Sequence, residues 1–316
     1  MLLSATLCLP AAAGEAVVAH DASIDSLARA AMQQYGIPGM SIGLVVDGNR
    51  RVCHYGVASL QTAEPVTGDT LFEIGSLSKL FAAALASVAQ ANGALALTQP
   101  PATQLGWLKD KALGGASLLN LATHTAVGLP LFVPDEVATE RQVQAYFTDF
   151  QPLYQPGTRR TYSNPGIGLL GLAAAASLRK DYPQAVRIHL FEPLNMAHTY
   201  FSVPQALLGD YAQGYTADGK PVRLSSGALA DPAYGLKSTA DDLLSFLAAS
   251  LADADEQSGL GQALNVMQTG LFQIGPMSQA LVWERYPFPV ALDTLVQGNS
   301  TDMALRTHTG WPCRRP

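Results

Sequence analysis

The chain has 316 residues, of which 48% are hydrophobic and 14% are charged, and 19 basic against 25 acidic side chains give a net charge of −6. This composition excludes a disordered chain, which would be poor in apolar residues and rich in net charge. The acidic balance and the lack of a basic cluster argue against a nucleic-acid partner, because a phosphate backbone is bound through grouped Lys and Arg side chains. A small-molecule ligand is expected instead.

The N-terminal 14 residues differ from the rest of the chain. They have no charged side chain and are first Leu-rich and then Ala-rich, which is the order of the apolar region and cleavage site of a secretory signal. No basic segment precedes them, so residues 1–14 are predicted to be a shortened signal remnant and the protein to be periplasmic. A frayed terminus is the alternative. No apolar run reaches the roughly 18 residues of a membrane-spanning helix, so no membrane span is predicted.

Apolar periodicity predicts the first elements of the fold. Residues at helical spacing indicate an amphipathic helix from Ser23 to Tyr35. Two β-rich stretches, 40–46 and 51–55, flank Asp47-Gly48-Asn49, which is typical of a hairpin turn that tolerates positive φ. An antiparallel sheet is expected to begin with this hairpin.

Helices are predicted to dominate the middle of the chain. An Ala- and Leu-rich helix should run over 76–91 and end at Asn92-Gly93. A Gly/Pro-rich stretch over 98–115 follows, and then a helix over 167–178. A further helix over 238–251 should begin with a capping box, since Ser238 and Asp241 have the required spacing.

The order of these elements favours an α/β (α+β) protein with an antiparallel sheet flanked by helices and an all-α part inserted in the middle. We expect one domain over 15–316, with its α/β part built from the chain ends and its mainly helical middle at about 93–220. Residues 281–295 are predicted to return β-structure to the sheet. Gly310, Pro312 and Pro316 interrupt the remaining C-terminal segment, so the sheet is expected to be incomplete there.

Cysteine and histidine predict neither disulfides nor metal. Cys8, Cys53 and Cys313 are too few for a disulfide framework and are expected to be small buried hydrophobic residues. The histidines show no short ligand spacing, so no metal site and no cofactor is expected.

Ser76 and Lys79 form the first candidate for chemistry. Residues three apart share one face of a helix, so the hydroxyl and the amine can come within hydrogen-bond reach, and a serine nucleophile needs such a neighbouring base. The same S-x-x-K spacing recurs at Ser177 and Lys180, at a predicted helix C-terminus where a cation is simply favourable. Lys79 lacks that explanation, because it lies in the first turn of its helix. An ordinary helix cap remains the alternative for Ser76.

Tyr162-Ser163-Asn164 forms the second candidate. A phenol can transfer protons when a cation such as Lys79 lowers its pKa, and an amide such as Asn164 can both donate to and accept from a substrate amide. The alternative is structural, because Asn164 followed by Pro165 is also a good N-cap and first residue of a helix.

These two motifs together resemble the class C, cephalosporinase-type serine β-lactamases. The resemblance covers nearly all of residues 15–305, and it includes further segments of the chain. These segments are Tyr35–Met40, Phe72–Lys79, Leu118–Thr125, Tyr162–Asn164, Tyr211–Tyr215 and Gly298–Ser300.

The resemblance implies a serine β-lactamase/penicillin-binding-protein transpeptidase-like fold and a β-lactam hydrolase that needs no metal or cofactor and acts as a monomer. It assigns Ser76 as the acylated nucleophile and Lys79 and Tyr162 as the proton-handling pair. Asn164 would be a ligand for Lys79 and for the substrate amide, and Tyr234 a further substrate-binding residue.

Two departures from the family stand out. Phe132 occupies the substrate-binding position where the family has an amide side chain, and a phenyl ring cannot hydrogen-bond a substrate amide. The family's third motif, K-T-G, has no clear counterpart, because His308-Thr309-Gly310 follows a segment that resembles what lies well before K-T-G. The likeness stops after Leu305, so the C-terminal strands and helix are predicted to be missing. In the family, the K-T-G strand supplies one of the two backbone N–H groups of the oxyanion hole. Loss of one such donor alone costs about 10²–10³ in rate.

Three alternatives follow from the same residues. Class A β-lactamases have S-D-N as their second motif, of which Ser163 and Asn164 match two letters, and a separate glutamate that Glu192 matches poorly. A D-Ala-D-Ala carboxypeptidase or an esterase of the same fold would use Ser76, Lys79 and Tyr162 equally. An inactive truncated remnant is the third alternative.

Overall fold

A computed structural model describes residues 12–46, 48–216, 218–225, 227–252 and 259–287. The helices are α1 (Ala12–Tyr35), α2 (Ser78–Ala91), α3 (Leu118–Ala122), α4 (Glu140–Asp149), α5 (Asn164–Ser177), α6 (Tyr182–Val186), α7 (Ala230–Ala233), α8 (Ala240–Leu251) and α9 (Gly259–Val266). The strands are β1 (Gly39–Val46), β2 (Asn49–Gly56), β3 (Phe72–Glu73), β4 (Gly214–Tyr215), β5 (Pro221–Val222), β6 (Lys237–Ser238), β7 (Phe272–Ile274), β8 (Met277–Gln279) and β9 (Glu284–Arg285).

The predicted hairpin is confirmed as the antiparallel pair β1–β2. Its register runs from Gly39 opposite Gly56 to Val46 opposite Asn49. Gly48 has a φ of +78° in the turn, which a residue without Cβ adopts freely. Helix α8 packs against β1 so closely that a Cβ on Gly43 would lie 2.8 Å from Leu244 Cγ. The hairpin and α8 therefore form one packed layer.

Helix α2 lies in the hydrophobic core. Its side chains are buried on all faces from Ser78 to Ala89 and are mostly apolar, as expected of a helix surrounded by other elements. It packs against α5, α7 and α9. The predicted stop is confirmed, because Gly93 has a φ of +71° directly after the last turn. A nucleophile at the start of α2 therefore stands on a rigid support.

Two predicted helix starts were wrong. The helix predicted over 167–178 begins three residues earlier, and the one predicted over 238–251 begins two residues later. In both, the capping residue differs by one position from the predicted cap. Helix α5 is capped by Ser163, whose Oγ accepts from the Gly166 N–H at 2.9 Å, and Asn164 is its first residue. Helix α8 is capped by Thr239, which accepts from the Asp242 N–H, because Ser238 belongs to β6 and pairs there with Phe72. Neighbouring residues with capping side chains compete for the same role, and the tertiary position of the preceding segment decides.

Helix α5 and α7 approach each other through glycine. A Cβ on Gly168 would lie 2.9 Å from Leu229 Cβ, and one on Gly171 would lie 2.7 Å from Pro232 Cβ. These glycines are nearly one helical turn apart, so they form a shallow groove on α5. The groove lets α7 pack between α5 and α2, and this places the carbonyl group of Ala233 near the start of α2.

The helical middle of the chain contains more turns than long helices. The Gly/Pro-rich stretch forms short 3-10 turns at Pro101–Thr103, Gly106–Leu108 and Ala112–Gly115. The described elements between residues 93 and 213 are all helical, and β4 begins at Gly214.

The C-terminal part of the described chain forms a three-stranded antiparallel sheet, β7–β8–β9. β-Structure was predicted over 281–295, and β9 lies in that range. Two strands of the same sheet, β7 and β8, come earlier and were missed, because they are short and carry polar residues that obscure their alternation. Among the described residues β9 pairs with β8 and not with the β1–β2 sheet, to which residues 281–295 were predicted to return. His308-Thr309-Gly310 and the predicted incomplete end lie outside the described residues, as do residues 1–11 of the predicted signal remnant, Cys8 and Cys313. Residues 12–14 of that remnant belong to α1. Cys53 is half-buried, not fully buried as expected. Within the described residues, none of the helices has the length and hydropathy that crossing a membrane requires.

Candidate active site

Ser76 lies in a tight turn directly before α2. Gly75 has a φ of +51°, and Gly75–Leu77 form a 3-10 turn that leads into the helix. Ser76 caps neither this turn nor α2, whose N-terminal flanking residue is Leu77. The neighbouring hydroxyl has a structural role, since Ser78 Oγ accepts from the Leu236 N–H at 3.1 Å. The interpretation of Ser76 as a helix cap is therefore wrong, and its hydroxyl can bond to a different partner.

Lys79 is that partner. Its Nζ donates to Ser76 Oγ at 2.9 Å and to the carbonyl oxygen of Ala233 at 2.8 Å. The side chain is fully buried, and burial lowers its pKa from the usual 10.5 to about 7, because a low-dielectric surrounding disfavours the charged form. Both described partners are uncharged, so no carboxylate among them stabilises the ammonium. Near neutral pH a substantial fraction of Lys79 is therefore a free amine beside a serine hydroxyl.

Tyr162 borders the same amine. Lys79 Nζ lies 4.8 Å from the centroid of the Tyr162 ring, and Arg160 Cζ lies 5.8 Å from it. The imidazole of His124 packs on this ring at a centroid distance of 4.4 Å with an interplanar angle of 31°. The structure thus brings together the three residues that the sequence singled out for proton transfer.

Asn164 lies beside this group but does not bind Lys79. Its backbone N–H donates to the Leu131 carbonyl at 3.1 Å, and the residue is buried. Asn164 Oδ1 has no hydrogen-bond partner among the described residues, so the bond to Lys79 implied by the resemblance is not formed. Lys79 instead donates to the carbonyl oxygen of Ala233 in α7. Asn164 Oδ1 is therefore a buried acceptor to which no described group donates. Such an atom lowers the free energy of unfolding unless a ligand donates a hydrogen bond to it.

Phe132 and Tyr234 flank the site from two loops. Phe132 follows Leu131, to which Asn164 is bonded, and Tyr234 follows Ala233, to which Lys79 is bonded. Their rings meet edge to face at a centroid distance of 5.9 Å and an angle of 69°. Phe132 is 57% exposed, which leaves its face open to a ligand. Burial raises the pKa of Tyr234, so this phenol stays protonated at neutral pH.

The second S-x-x-K spacing has no such surroundings. Ser177 Oγ donates to the Ala174 carbonyl at 2.7 Å, which is an ordinary bond within the last turn of α5. Lys180 lies past the end of that helix, where its backbone N–H bonds to Ala175. The pair therefore provides a matched control for Ser76 and Lys79.

A sequence model of the family described as Beta-lactamase matches residues 24–312. The chain belongs to the β-lactamase family. It is 44% identical over 310 residues to a β-lactamase from Lysobacter lactamgenus, with 96% of this chain and 80% of that protein covered. The match to a β-lactamase from Pseudomonas fluorescens is 42% identical and covers 90% of this chain and 80% of the other.

Solved structures of this family have the same fold. A β-lactamase/D-alanine carboxypeptidase from Pseudomonas syringae superposes with a TM-score of 0.85 at 45% identity, covering 89% of this chain and 79% of that one. A class C β-lactamase in complex with cefoxitin gives a TM-score of 0.84 at 40% identity, covering 90% and 79%. The predicted class C resemblance and transpeptidase-like fold are both confirmed.

Two residues of this β-lactamase family site were missed by sequence reasoning. From the sequence, His124 has no predicted role beyond its place in the family-like segment Leu118–Thr125, yet its Nδ1 accepts from the Ser163 N–H at 3.2 Å, from 39 residues away. Arg160 donates through Nε to Gln279 Oε1 at 2.6 Å and forms an ion pair with Glu284, 124 residues away. The nearness of Arg160 to Tyr162 in the chain was the one signal available. Neither contact partner could have been found from sequence spacing.

The lowered pKa of Lys79 predicts a pH-dependent stability. Between about pH 7 and pH 10.5 the unfolded chain binds a proton on this amine that the native chain has released. The free energy of unfolding of the wild-type chain, relative to that of Lys79→Met, is therefore expected to rise with pH in this window, by at most about 1.4 kcal/mol per pH unit, and to stay level below it. Denaturant unfolding at a series of pH values measures this difference.

The control for this prediction is Phe147→Leu, which changes a fully buried side chain without removing a titratable group. Its stability difference from the wild-type chain should not depend on pH in the same window. If the free energy of unfolding of the wild-type chain minus that of Lys79→Met fell as the pH rises, the lowered pKa of Lys79 would be contradicted.

Proposed function

We propose that this protein hydrolyses β-lactam antibiotics through an acyl-enzyme on Ser76. The observation that carries the proposal is the buried amine of Lys79, with its pKa near 7, at 2.9 Å from Ser76 Oγ. A serine hydroxyl needs a base within hydrogen-bond distance, and a base with a pKa near the working pH is the most effective one. Class C relatives of the same fold support the reaction class.

In the proposed acylation step, neutral Lys79 takes the Ser76 proton while Ser76 Oγ bonds to the carbonyl carbon of the lactam. The ring C–N bond then breaks, and its nitrogen receives a proton through the Lys79–Tyr162 pair. In the second step, water attacks the ester carbon with loss of a proton to the same pair, the C–O bond to Ser76 breaks, and the proton returns to Ser76 Oγ. One β-lactam and one water yield one β-amino acid, without a metal or cofactor.

Asn164, Phe132 and Tyr234 are proposed to bind the substrate. Asn164 Oδ1 is buried and has no described partner, and it would accept from the N–H of a substrate side-chain amide once the side chain turns toward the site. The exposed face of Phe132 and the ring of Tyr234 offer an apolar wall instead of a second amide contact. Substrates with an apolar or aromatic side chain should therefore be preferred.

Replacing Phe132 by Gln is expected to lower KM for a penicillin with a side-chain amide by about 3- to 10-fold, the effect of one added neutral hydrogen bond. Because Phe132 is 57% exposed, its replacement should leave the melting temperature nearly unchanged. Steady-state kinetics measures the effect with a penicillin whose side chain has an amide but no aromatic ring, because an aromatic side chain would also lose its contact with the Phe132 ring. Leu153→Gln, at a position 74% exposed, is the matched control and should leave KM unchanged. A lower KM in both variants would contradict a specific contact.

The test of the proposed function uses a chromogenic cephalosporin and a D-alanyl ester substrate in parallel. Cephalosporin turnover by the wild-type chain that is lost in Ser76→Ala and kept in Ser177→Ala would support a β-lactamase. Turnover of the D-alanyl substrate without cephalosporin hydrolysis would instead support a D-alanine carboxypeptidase. This is the second candidate function, and the name of the Pseudomonas syringae protein favours it. Serine-dependent turnover of neither substrate would indicate an inactive protein.

We further propose a single catalytic domain over 15–316, export to the periplasm through residues 1–14, a monomeric state, and a contribution to antibiotic resistance. The Leu-rich and then Ala-rich start of the chain supports export. Fractionation of cells that express the full chain, followed by size-exclusion chromatography, tests location and state. Retention of the protein in the cytoplasm would overturn the export proposal.

A further inference from the structure

His124 lies two residues past the end of the short helix α3 and packs against the Tyr162 segment. Its φ is +56°, a left-handed conformation that is uncommon for residues with a Cβ. Its carbonyl oxygen accepts from the Thr161 N–H at 2.8 Å, and the carbonyl of Thr125 accepts from the Gly157 N–H at 2.7 Å. The backbone at 124–125 therefore holds the 157–161 loop, and the strained φ directs the imidazole toward Tyr162.

The imidazole of His124 makes two contacts with this segment. Its Nδ1 accepts from the Ser163 N–H at 3.2 Å, and its face packs on the Tyr162 ring at 4.4 Å. Because Nδ1 accepts, the proton of the neutral ring must be on Nε2, which is buried and has no hydrogen-bond partner among the described residues. A charged imidazolium would carry a proton on Nδ1 and lose the bond to Ser163.

The charges around His124 also require the neutral form. Lys79 and Arg160 both lie within 6 Å of the centroid of the Tyr162 ring on which His124 packs. Burial first, and then the positive charges of Arg160 and Lys79, hold the pKa of His124 well below its usual range. An uncharged flat ring can therefore support Tyr162 without adding a further positive charge beside Arg160 and the protonated fraction of Lys79.

The Ser163 contact is not needed to start α5. Ser163 Oγ already accepts from the Gly166 N–H, so the helix N-terminus is capped without His124. The bond from the Ser163 N–H to His124 instead fixes the peptide group that joins Tyr162 to the cap residue Ser163. The two contacts thus limit both the rotation of the ring and the position of its Cα.

We propose that His124 is a positioning residue, which as the neutral Nε2–H tautomer holds the Tyr162 phenol in register with Lys79 and Ser76. The inference rests on the proposed function, in which Tyr162 transfers protons. His124 itself touches neither substrate nor the reacting atoms. A small displacement of a proton-transfer group can cost about 100-fold in rate, so the effect should fall on kcat.

Two substitutions separate the contacts. His124→Phe keeps a flat ring and loses the acceptor for Ser163, while His124→Gln keeps an acceptor and loses the ring. Both are expected to lower kcat for a chromogenic cephalosporin by about 10- to 100-fold with little change in KM. Phe147→Leu, which disturbs the core away from Tyr162, serves as a control for lost stability and should keep its kcat.

Nitrogen NMR of the histidine rings gives a readout that does not depend on activity. At pH 7, His124 should show an unprotonated Nδ1 and a protonated Nε2. A charged ring or the opposite tautomer would overturn the proposal, as would unchanged kcat in both His124 variants, or a loss of kcat in all three variants in proportion to their melting temperatures. Absence of turnover by the wild-type chain would instead count against the proposed function, and the NMR result would still test the tautomer.

Discussion

Ser76→Ala is expected to abolish both turnover and covalent labelling. Removal of the nucleophile of a serine hydrolase costs about 10⁴- to 10⁶-fold in kcat, because the remaining site can only bind and polarise the substrate. Ser76 is half-buried, and its Oγ serves no cap, so the variant should fold normally. Loss of activity in a folded protein would then report on chemistry.

Intact-mass spectrometry after a brief exposure to a slowly hydrolysed cephalosporin measures the adduct, and mass spectrometry of the proteolysed chain locates it. The wild-type chain should gain the mass of one acyl group on the peptide that contains Ser76, and Ser177→Ala should gain it equally. An adduct on any other residue, or one that persists in Ser76→Ala, would sink the nucleophile assignment. The comparison is sharp because Ser177 has the same motif spacing but bonds only within its own helix.

Lys79→Met is expected to separate activity from stability. The methionine side chain has a similar length and no charge, so it can occupy the buried space while removing the proposed base. A fall of about 10²–10⁴ in kcat/KM is expected, the usual contribution of a general base. At or below pH 7 the free energy of unfolding should stay level or increase, since a buried ammonium without a carboxylate partner is replaced by an apolar group.

Activity assays and denaturant unfolding on the same preparation measure both effects. Lys180→Met is the control, and it should keep full activity because Lys180 lies past the C-terminal end of α5. A Lys79→Met chain that hydrolysed the cephalosporin at the wild-type rate would show that Ser76 has another base. A chain that lost activity only because it unfolded would be recognised from its unfolding curve.

Local features of the site could be predicted from the sequence. The pairing of Ser76 with Lys79 depends on residues three apart at the start of one helix, which is a short-range geometry. The β1–β2 hairpin and the end of α2 at Gly93 were likewise predicted correctly, because turns and stops have their own residue signals. Family resemblance then supplied the function of the pair.

Contacts between distant segments could not be predicted. The surroundings of Tyr162 come from His124 and Lys79, which only the packing of separate elements brings to one ring. The partner of Lys79 was expected to be Asn164 and is the Ala233 carbonyl, because a backbone acceptor has no sequence signature. The two helix caps were missed by one residue for a related reason: several side chains could cap, and the fold selects one.

The glycine groove on α5 limits how this enzyme can be engineered. Replacing a helical glycine by alanine is a common route to higher thermal stability. At Gly168 and Gly171 the added methyl group would press on Leu229 and Pro232 and move α7. Helix α7 contains Ala233, whose carbonyl oxygen accepts from Lys79 Nζ. A glycine-to-alanine substitution at either position would therefore weaken this hydrogen bond to the proposed base. The tight fit of two helices thus makes turnover sensitive to changes that never touch the substrate.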